Sequence, residues 1–232
     1  MHTREEIQSK LRTIMERIDA VCKRTDKKTT LVAVSKTKPV EMIQWAHEAG
    51  CRNFGENYAQ EFRDKTAELS DVTDLRWHFI GSLQRNKVRY VVGKAVLIHS
   101  VGTVSLLDAI QSRAARADIV QDILVEVNLA GEPSKSGLSE AELPSMLAQF
   151  ADRPNVRCLG LMTMPPFFAD PEASRPYFVR LRELRDDLRP RFGGNVDLTH
   201  LSMGMTADFE VAIEEGATLI RVGTAIFGPR GT

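Results

Sequence analysis

The chain has 232 residues, of which 43% are hydrophobic and 27% charged, and this composition excludes a disordered or fibrous protein. Its 31 basic and 31 acidic side chains cancel, so no bulk field is available to hold nucleic acid or an anionic membrane. We therefore expect a small-molecule partner and a single domain over residues 1–232, a common length for an α/β barrel.

The opening residues 3–24 place apolar side chains three and four positions apart, which predicts an amphipathic helix. Short runs rich in Val, Ile, Leu and Phe then alternate with helical patterns. The predicted strands are 31–35, 52–54, 77–81, 96–99, 122–128, 156–161, 197–201 and 218–222. The predicted helices between them are 40–49, 56–69, 83–91, 103–117, 139–150, 174–189 and 206–215. Strict alternation of this kind indicates a parallel sheet.

Several helix starts carry local signals. Pro39 pre-sets a first helical turn. Ser139, with Glu142 three residues later, fits a capping box. Thr206 is the predicted N-cap of the helix before strand eight, with Asp208 in the first turn of that helix. After the eighth strand the ending FGPRGT leaves too little chain for a further helix. We expect the opening helix to cover that flank.

Eight strands with short helical crossovers favour a closed (β/α)8 barrel, or TIM barrel, because closure leaves no exposed strand edge. An open Rossmann-like sheet is the alternative, but no G-x-G-x-x-G motif follows any strand. In such a barrel the active site is built at the C-terminal ends of the strands. The residues at those ends are therefore the candidate site.

The ends of strands seven and eight predict a phosphate-binding loop pair. Ser202 and Gly204 follow strand seven, and Gly223 and Thr224 follow strand eight. Small residues let backbone N–H groups approach an anion, and hydroxyl groups add donors, at the place where these barrels usually bind phosphate. The alternative is that the glycines only make tight turns.

Lys36 ends the first strand, in LVAVSKTKPV. A partly desolvated lysine loses its proton more readily, and the free amine attacks aldehydes. Together with a phosphate cradle it suggests a phosphorylated carbonyl compound held as a Schiff base, of which pyridoxal 5'-phosphate is the commonest in proteins. The alternative is a plainly solvated lysine, which is how we interpret Lys38.

Arg221 on strand eight points inward if the barrel pattern holds, and a buried arginine needs a partner. A pyridine nitrogen is one candidate: the permanently protonated guanidinium would keep that nitrogen unprotonated and make the ring a poor electron sink. A salt bridge, for example to Glu56, is the other.

Seven ordered blocks resemble the YggS/PROSC family of pyridoxal-phosphate homeostasis proteins. They are VSKTKP at 34–39, FGENYAQE at 54–61, WHFIGSLQRNK at 77–87, IHSVGT at 98–103, SKSGL at 134–138, HLSMGMTADFE at 200–210 and TLIRVGTAIFG at 218–228. The resemblance implies a barrel similar to the N-terminal domain of alanine racemase, with the cofactor on Lys36. It also implies Arg221 at the pyridine nitrogen, Ser202 with Gly223 and Thr224 at the phosphate, and Asn57 near the 3-hydroxyl.

The resemblance further implies a carrier that stores, buffers or delivers pyridoxal phosphate, with dependent apo-enzymes as possible recipients and a monomer as the expected state. A racemase is the main alternative, but it needs a second acid/base, and the residues up to Thr232 leave no room for the added domain that supplies it in alanine racemase. Tyr58 is the one internal candidate, although packing is the better interpretation. A Schiff-base aldolase is disfavoured because the sixth strand has no lysine.

The remaining features predict little chemistry. The cysteines Cys22, Cys51 and Cys158 are too few and too far apart for a disulfide framework or a metal pair, so we interpret them as small buried side chains and expect no metal. His78 and His200 are interpreted as core histidines.

The loop at 162–174 is either a lid or a surface loop. With no apolar run of membrane length and no secretory signal, we expect a cytoplasmic protein.

Overall fold

The computed structural model describes residues 3–132 and 136–229. Ser134 and Lys135 of the SKSGL block, and the chain end from Arg230, lie outside the described residues.

Eight parallel strands close into a barrel in sequence order, as predicted. They are β1 Thr30–Val34, β2 Asn53–Glu56, β3 Arg76–Phe79, β4 Leu97–Val101, β5 Gln121–Glu126, β6 Val156–Met162, β7 Val196–Ser202 and β8 Leu219–Val222. Closure pairs the first strand with the last, with Thr30 opposite Leu219 and Val32 opposite Arg221. The ends of β1 and β8 therefore lie side by side.

The helices lie outside the barrel, one before the first strand, one after the last and the others between successive strands. They are α1 Arg4–Thr25, α2 Val40–Glu48, α3 Ala59–Glu68, α4 Val88–Val91, α5 Val104–Arg116, α6 Leu143–Ala148, α7 Arg175–Leu188, α8 Phe209–Glu214 and α9 Thr224–Phe227. With the N-terminal helix in place, the expected architecture is confirmed. Among the described residues, no helix combines the length and the apolar character needed to cross a membrane.

Two apolar layers hold this architecture together. A small cluster fills the barrel interior with Val32, Leu97, Leu124, Met162 and Leu219. A much larger cluster lies between the strands and the helices, where each strand presents its outward side chains. The interior is therefore packed, and in a barrel of this kind the active site is built at the C-terminal end of the strands.

Helix α1 covers the flank beside the last strand, as expected. The side chains Thr3 and Glu6 cap its start reciprocally, and a buried stripe faces the barrel: Ile7, Leu11, Ile14, Ile18 and Val21. It packs against α2, α8 and α9. Two ion pairs fix it to α8, Arg17 with Glu210 at 3.0 Å and Arg24 with Glu214 at 2.6 Å. The prediction of no helix after strand eight was wrong by one turn, because α9 forms there.

Four predicted helix starts were also wrong. Helix α3 begins at Ala59 instead of residue 56 and α4 at Val88 instead of residue 83, and the other two have a visible local cause. Ser139 does contact Glu142, yet α6 begins only at Leu143. A helix starting at Glu140 would require an N–H at Pro144 to reach its carbonyl, and proline has none. The helix before β8 begins at Phe209 instead of near Thr206, because Asp208 Oδ1 accepts from Met205 N at 2.7 Å and closes a turn first.

The cysteines are free thiols in the described residues. Cys51 and Cys158 are buried, and that burial raises the pKa of each thiol to about 12. Cys22 is only half-buried. The interpretation of the cysteines as small buried side chains therefore holds for two of the three.

Candidate functional site

A cavity of about 260 Å³ opens at the C-terminal end of the barrel. Its lining residues are Val34, Lys36, Asn57, Ile80, Met164, Phe167, Met205, Thr206, Ala207, Arg221, Gly223 and Thr224. A smaller pocket of about 160 Å³ adjoins it between the ends of β1 and β8 and adds Lys38 and Gly228. A wider depression lies on the outer surface near residues 84–86 and 105–112, away from the strand ends.

The cavity gathers five of the residues singled out from the sequence: Lys36, Asn57, Arg221, Gly223 and Thr224. They come from the ends of β1, β2 and β8, which the barrel places next to one another. An amine, an amide, a guanidinium and a small-residue loop thus face one space. This combination suits a ligand that carries a carbonyl group, a polar ring and an anion.

Ser202 and Gly204 are not among the residues that line this cavity, and their place at a phosphate stays a prediction. The Ser202 side chain is fully buried, and its Oγ contacts Arg221 Nη1 at 2.5 Å and His99 Nδ1 at 2.8 Å. Gly204 is buried with φ of +90°, and an added Cβ would lie 2.5 Å from that of Ala212. Strand seven therefore delivers its loop residue Thr206 to the cavity, a contribution we had interpreted only as a helix cap.

Arg221 forms part of the cavity wall although it is 96% buried, with a relative exposure of 4%. Its Nη2 donates to the Thr163 carbonyl at 3.0 Å, and its Nη1 donates to Ser202. Burial lowers the pKa of the guanidinium to about 10, opposed by the charges of Glu126 and Asp208. Arg221 is therefore still protonated at neutral pH.

The alternative salt bridge from Arg221 to Glu56 is not formed, because Glu56 serves other donors. Its Oε1 accepts from Lys65 Nζ at 2.8 Å and from Ser35 Oγ at 2.7 Å. The hydrogen bonds of Arg221 go to neutral oxygens instead.

The residue before Lys36 is anchored by a buried ionic cluster that sequence reasoning missed. Lys65 Nζ, on α3, donates to the Ser35 carbonyl at 2.7 Å as well as to Glu56 and, at 2.7 Å, to Glu61. Burial raises the pKa of the Glu56 carboxyl, while Lys65 and Ser35 oppose that rise. The available signal was a lysine four residues after Glu61 in a helix following a barrel strand.

The residue after Lys36 is anchored to the same cluster. Thr37 has φ of +61°, unusual for a β-branched residue, and its N–H donates to Glu61 Oε1 at 2.6 Å. Lys36 itself is half-buried between these two fixed neighbours. Lys38 is also half-buried, and its Nζ donates to the Pro229 carbonyl at 2.5 Å, so its interpretation as a plainly solvated lysine was wrong.

Asn57 carries a buried side-chain oxygen, Oδ1, that has no hydrogen-bond partner. A buried acceptor of this kind costs free energy unless a ligand or water satisfies it. Gly81 fixes the Asn57 backbone by close approach, since a Cβ there would lie 2.2 Å from the Asn57 carbonyl oxygen. Asn57 lines the cavity, and its Oδ1 is a fixed acceptor buried in the cavity wall.

The loop after β6 reaches the cavity with Met164 and Phe167, and Phe167 is 84% exposed. The neighbouring Phe168 stacks on Tyr177 of α7, with ring centroids 5.9 Å apart. Tyr58, the candidate second acid/base of a racemase, is the N-cap of α3 and is 49% exposed, so its interpretation as a packing residue was wrong. It lies outside the cavity lining.

Two neutral histidines lie beneath Arg221 in the barrel interior. His99 Nε2 and His78 Nδ1 are 2.9 Å apart, and His78 Nε2 lies 3.1 Å from Asn53 Oδ1. Burial lowers the pKa of His78 to about 3 and that of His99 well below its ordinary range. His78 is the core histidine expected from the sequence, whereas His200 is only half-buried and contacts Thr218 Oγ1 at 3.1 Å.

The depressed pKa of His78 gives an expected pH dependence of stability. In the unfolded chain this ring binds a proton below pH 6.5, whereas in the folded chain it does so only near pH 3. The free energy of unfolding is therefore highest above pH 6.5 and falls as the pH is lowered from 6.5 toward 3. At about 1.4 kcal/mol per pH unit, His78 alone should remove ~2 kcal/mol between pH 6.5 and 5. Urea unfolding at both pH values measures the loss. His78→Gln cannot titrate there and should reduce the loss by about that amount, while His99 and His200, whose pKa values are also lowered, still contribute. An unchanged slope in that variant would contradict this assignment.

Comparison with known proteins places the chain among relatives of matching length. Residues 9–231 match the family model described as alanine racemase, N-terminal domain. A pyridoxal phosphate homeostasis protein of Aquifex aeolicus is 50% identical over 224 residues, covering 95% of this chain and 97% of the relative.

Solved structures share the fold of this chain. A protein described as unknown from Bifidobacterium adolescentis superposes with a TM-score of 0.91 at 33% identity, covering 97% of this chain and 95% of that one. PipY of Synechococcus elongatus, solved with pyridoxal phosphate bound, superposes with a TM-score of 0.82 at 36% identity, covering 92% of this chain and 99% of that one. The chain belongs to the pyridoxal phosphate homeostasis proteins, a family built on the barrel of the alanine racemase N-terminal domain.

Proposed function

We propose that this chain binds pyridoxal 5'-phosphate in the cavity at the C-terminal end of the barrel and holds it for intracellular homeostasis, by storage, buffering or delivery. The observation that carries the proposal is the convergence of Lys36, Arg221 and the unsatisfied Asn57 Oδ1 on one cavity. The names of the relatives and the cofactor bound to PipY support it.

The residues present fit the cofactor group by group. Lys36 Nζ would hold it covalently, Asn57 Oδ1 would accept from the 3-hydroxyl, and Arg221 would donate to the pyridine nitrogen. Gly223 and Thr224 would hold the phosphate. Thr206 supplies a further hydroxyl in the cavity. When bound, the cofactor supplies an aldehyde carbon that condenses with amines and a ring that can accept electrons.

Arg221 favours holding the cofactor over using it. A guanidinium with a pKa of about 10 stays protonated at neutral pH, so it donates to a ring nitrogen without transferring its proton. A ring nitrogen kept unprotonated withdraws electrons weakly. A ring in this state is compatible with a carrier, and a racemase remains the alternative function.

Reconstitution tests the proposal directly. Purified protein mixed with pyridoxal phosphate should take up about one cofactor per chain, with a new absorbance band in the violet to near-ultraviolet that persists through gel filtration. Protein that stays colourless and passes the cofactor unretained would overturn the proposal. Turnover of alanine that disappears in Tyr58→Phe would favour the racemase alternative.

Three finer parts of the proposal concern the setting. We propose that the chain acts as a monomer, in the cytoplasm, and passes its cofactor to pyridoxal-phosphate-dependent apo-enzymes. A cytoplasmic location is supported by the free thiols among the described residues, since disulfides mark oxidising compartments. The zero net charge argues against recruitment by an anionic surface.

A further inference from the structure

A continuous series of hydrogen bonds crosses the barrel from the cavity to the opposite mouth. It runs from Arg221 Nη1 to Ser202 Oγ, to His99, to His78 and to Asn53, with contacts of 2.5, 2.8, 2.9 and 3.1 Å. All members but Asn53 are buried. His78 and Asn53 line a second cavity of about 250 Å³ at the N-terminal end. We refer to these five residues as the barrel chain.

The chemistry of Arg221 sets the direction of the barrel chain. A guanidinium only donates, so Ser202 Oγ accepts from it and has its one hydrogen left for His99 Nδ1. His99 must then carry its proton on Nε2 and donate to His78 Nδ1. His78 in turn carries its proton on Nε2 and donates to Asn53 Oδ1, which is an acceptor.

The opposite direction fails at both ends. If His99 Nδ1 donated to Ser202, the serine hydrogen would have no acceptor among the described contacts. His78 Nε2 would then present a lone pair to the Asn53 oxygen, which also carries lone pairs. Each buried group is satisfied only when the donors point from Arg221 toward Asn53.

The partners that Arg221 binds directly are neutral. A carboxylate in their place would cancel much of the guanidinium charge, because an ion pair in a buried site interacts strongly. The Thr163 carbonyl and the Ser202 hydroxyl hold two of its five N–H groups and leave the charge in place. The remaining donors belong to a residue that lines the cavity.

We propose that Ser202, His99 and His78 are positioning residues that fix the guanidinium of Arg221 toward the cavity. They do so through hydrogen bonds between uncharged groups, in which every donor points from Arg221 toward Asn53. Both histidines then carry their proton on Nε2. The inference rests on the proposed function only for the identity of the group that Arg221 faces. It gives Ser202 a role in the barrel interior, away from the phosphate.

Histidine ¹⁵N spectroscopy of the cofactor-free protein tests the direction of the series. At neutral pH both His78 and His99 should be uncharged, with the proton on Nε2 in each ring. In Ser202→Ala the His99 signals should shift while those of His200, which binds Thr218 outside the barrel chain, stay unchanged. A proton on Nδ1 of either ring, or a charged ring, would overturn the proposal whether or not pyridoxal phosphate binds.

Cofactor binding tests the positioning of Arg221. Ser202→Ala should bind pyridoxal phosphate about tenfold more weakly and change the pH dependence of its absorbance band, because one hydrogen bond to a charged group is lost. His200→Gln is the matched control and should bind as the parent does. Parent-like affinity and pH profile in Ser202→Ala would show that the series is structural only, and would leave the proposed function standing.

Discussion

Replacing Lys36 with alanine is expected to abolish covalent retention of pyridoxal phosphate. Among the described residues, Lys36 is the one lysine that lines the main cavity, where Asn57 and Arg221 would hold the ring. The noncovalent contacts that remain should leave binding weaker by about a hundredfold, or ~2.7 kcal/mol. Borohydride reduction of the loaded parent, followed by mass spectrometry of its peptides, should find the modification on Lys36, and the variant should yield none.

Lys38→Ala is the matched control, because Lys38 lies two positions further on and lines only the adjoining pocket. It should retain the absorbance band and the modification at Lys36. Cofactor found on Lys38 in the parent, or retained covalently by Lys36→Ala, would contradict the assignment of the attachment site.

Replacing Lys65 with methionine should produce a large loss of stability, although this residue lies outside the cavity lining. The side chain is buried and donates to two carboxylates and the Ser35 carbonyl. Its removal leaves the Glu56 carboxylate buried without its counter-charge, which typically costs about 3–5 kcal/mol. Urea unfolding at neutral pH measures the difference in free energy.

The double variant Glu56→Gln with Lys65→Met separates charge from packing. A neutral amide at position 56 can still accept from Ser35 Oγ, so the double variant should recover most of the stability lost in Lys65→Met. If Lys65→Met cost less than about 1 kcal/mol, the ion pair would be only as strong as a surface pair, and the cluster would not anchor the chain around Lys36.

Most of the barrel was predictable from the sequence because each strand is a short apolar run and each long helix carries a stripe of three-and-four spacing. Two of the errors, at the starts of α6 and α8, come from a single residue that prevents or precedes the first helical turn. Pro144 delays α6, and Asp208 closes a turn before α8. These are local competitions between backbone partners, which periodicity does not register.

That five candidate residues would lie around one cavity was predictable because the C-terminal strand ends of a barrel share one edge. Ser202 is the last residue of β7 and contacts Arg221 in the barrel interior. A strand-end pattern does not distinguish such an interior side chain from one that lines the cavity. Lys65 was missed because its role depends on how α3 rotates against β1 and β2. That contact is tertiary, and helical spacing alone does not specify it.

The pairing of β1 with β8 joins segments nearly a whole chain apart, with Ala33 opposite Val222. Lys36 follows one of these strands, and Gly223 and Thr224 follow the other. Contacts of such long sequence separation form slowly, because loop-closure entropy must be overcome first. The binding pocket is therefore completed only when β1 pairs with β8. A cofactor that contacts the ends of both strands would stabilise this slowly formed pairing.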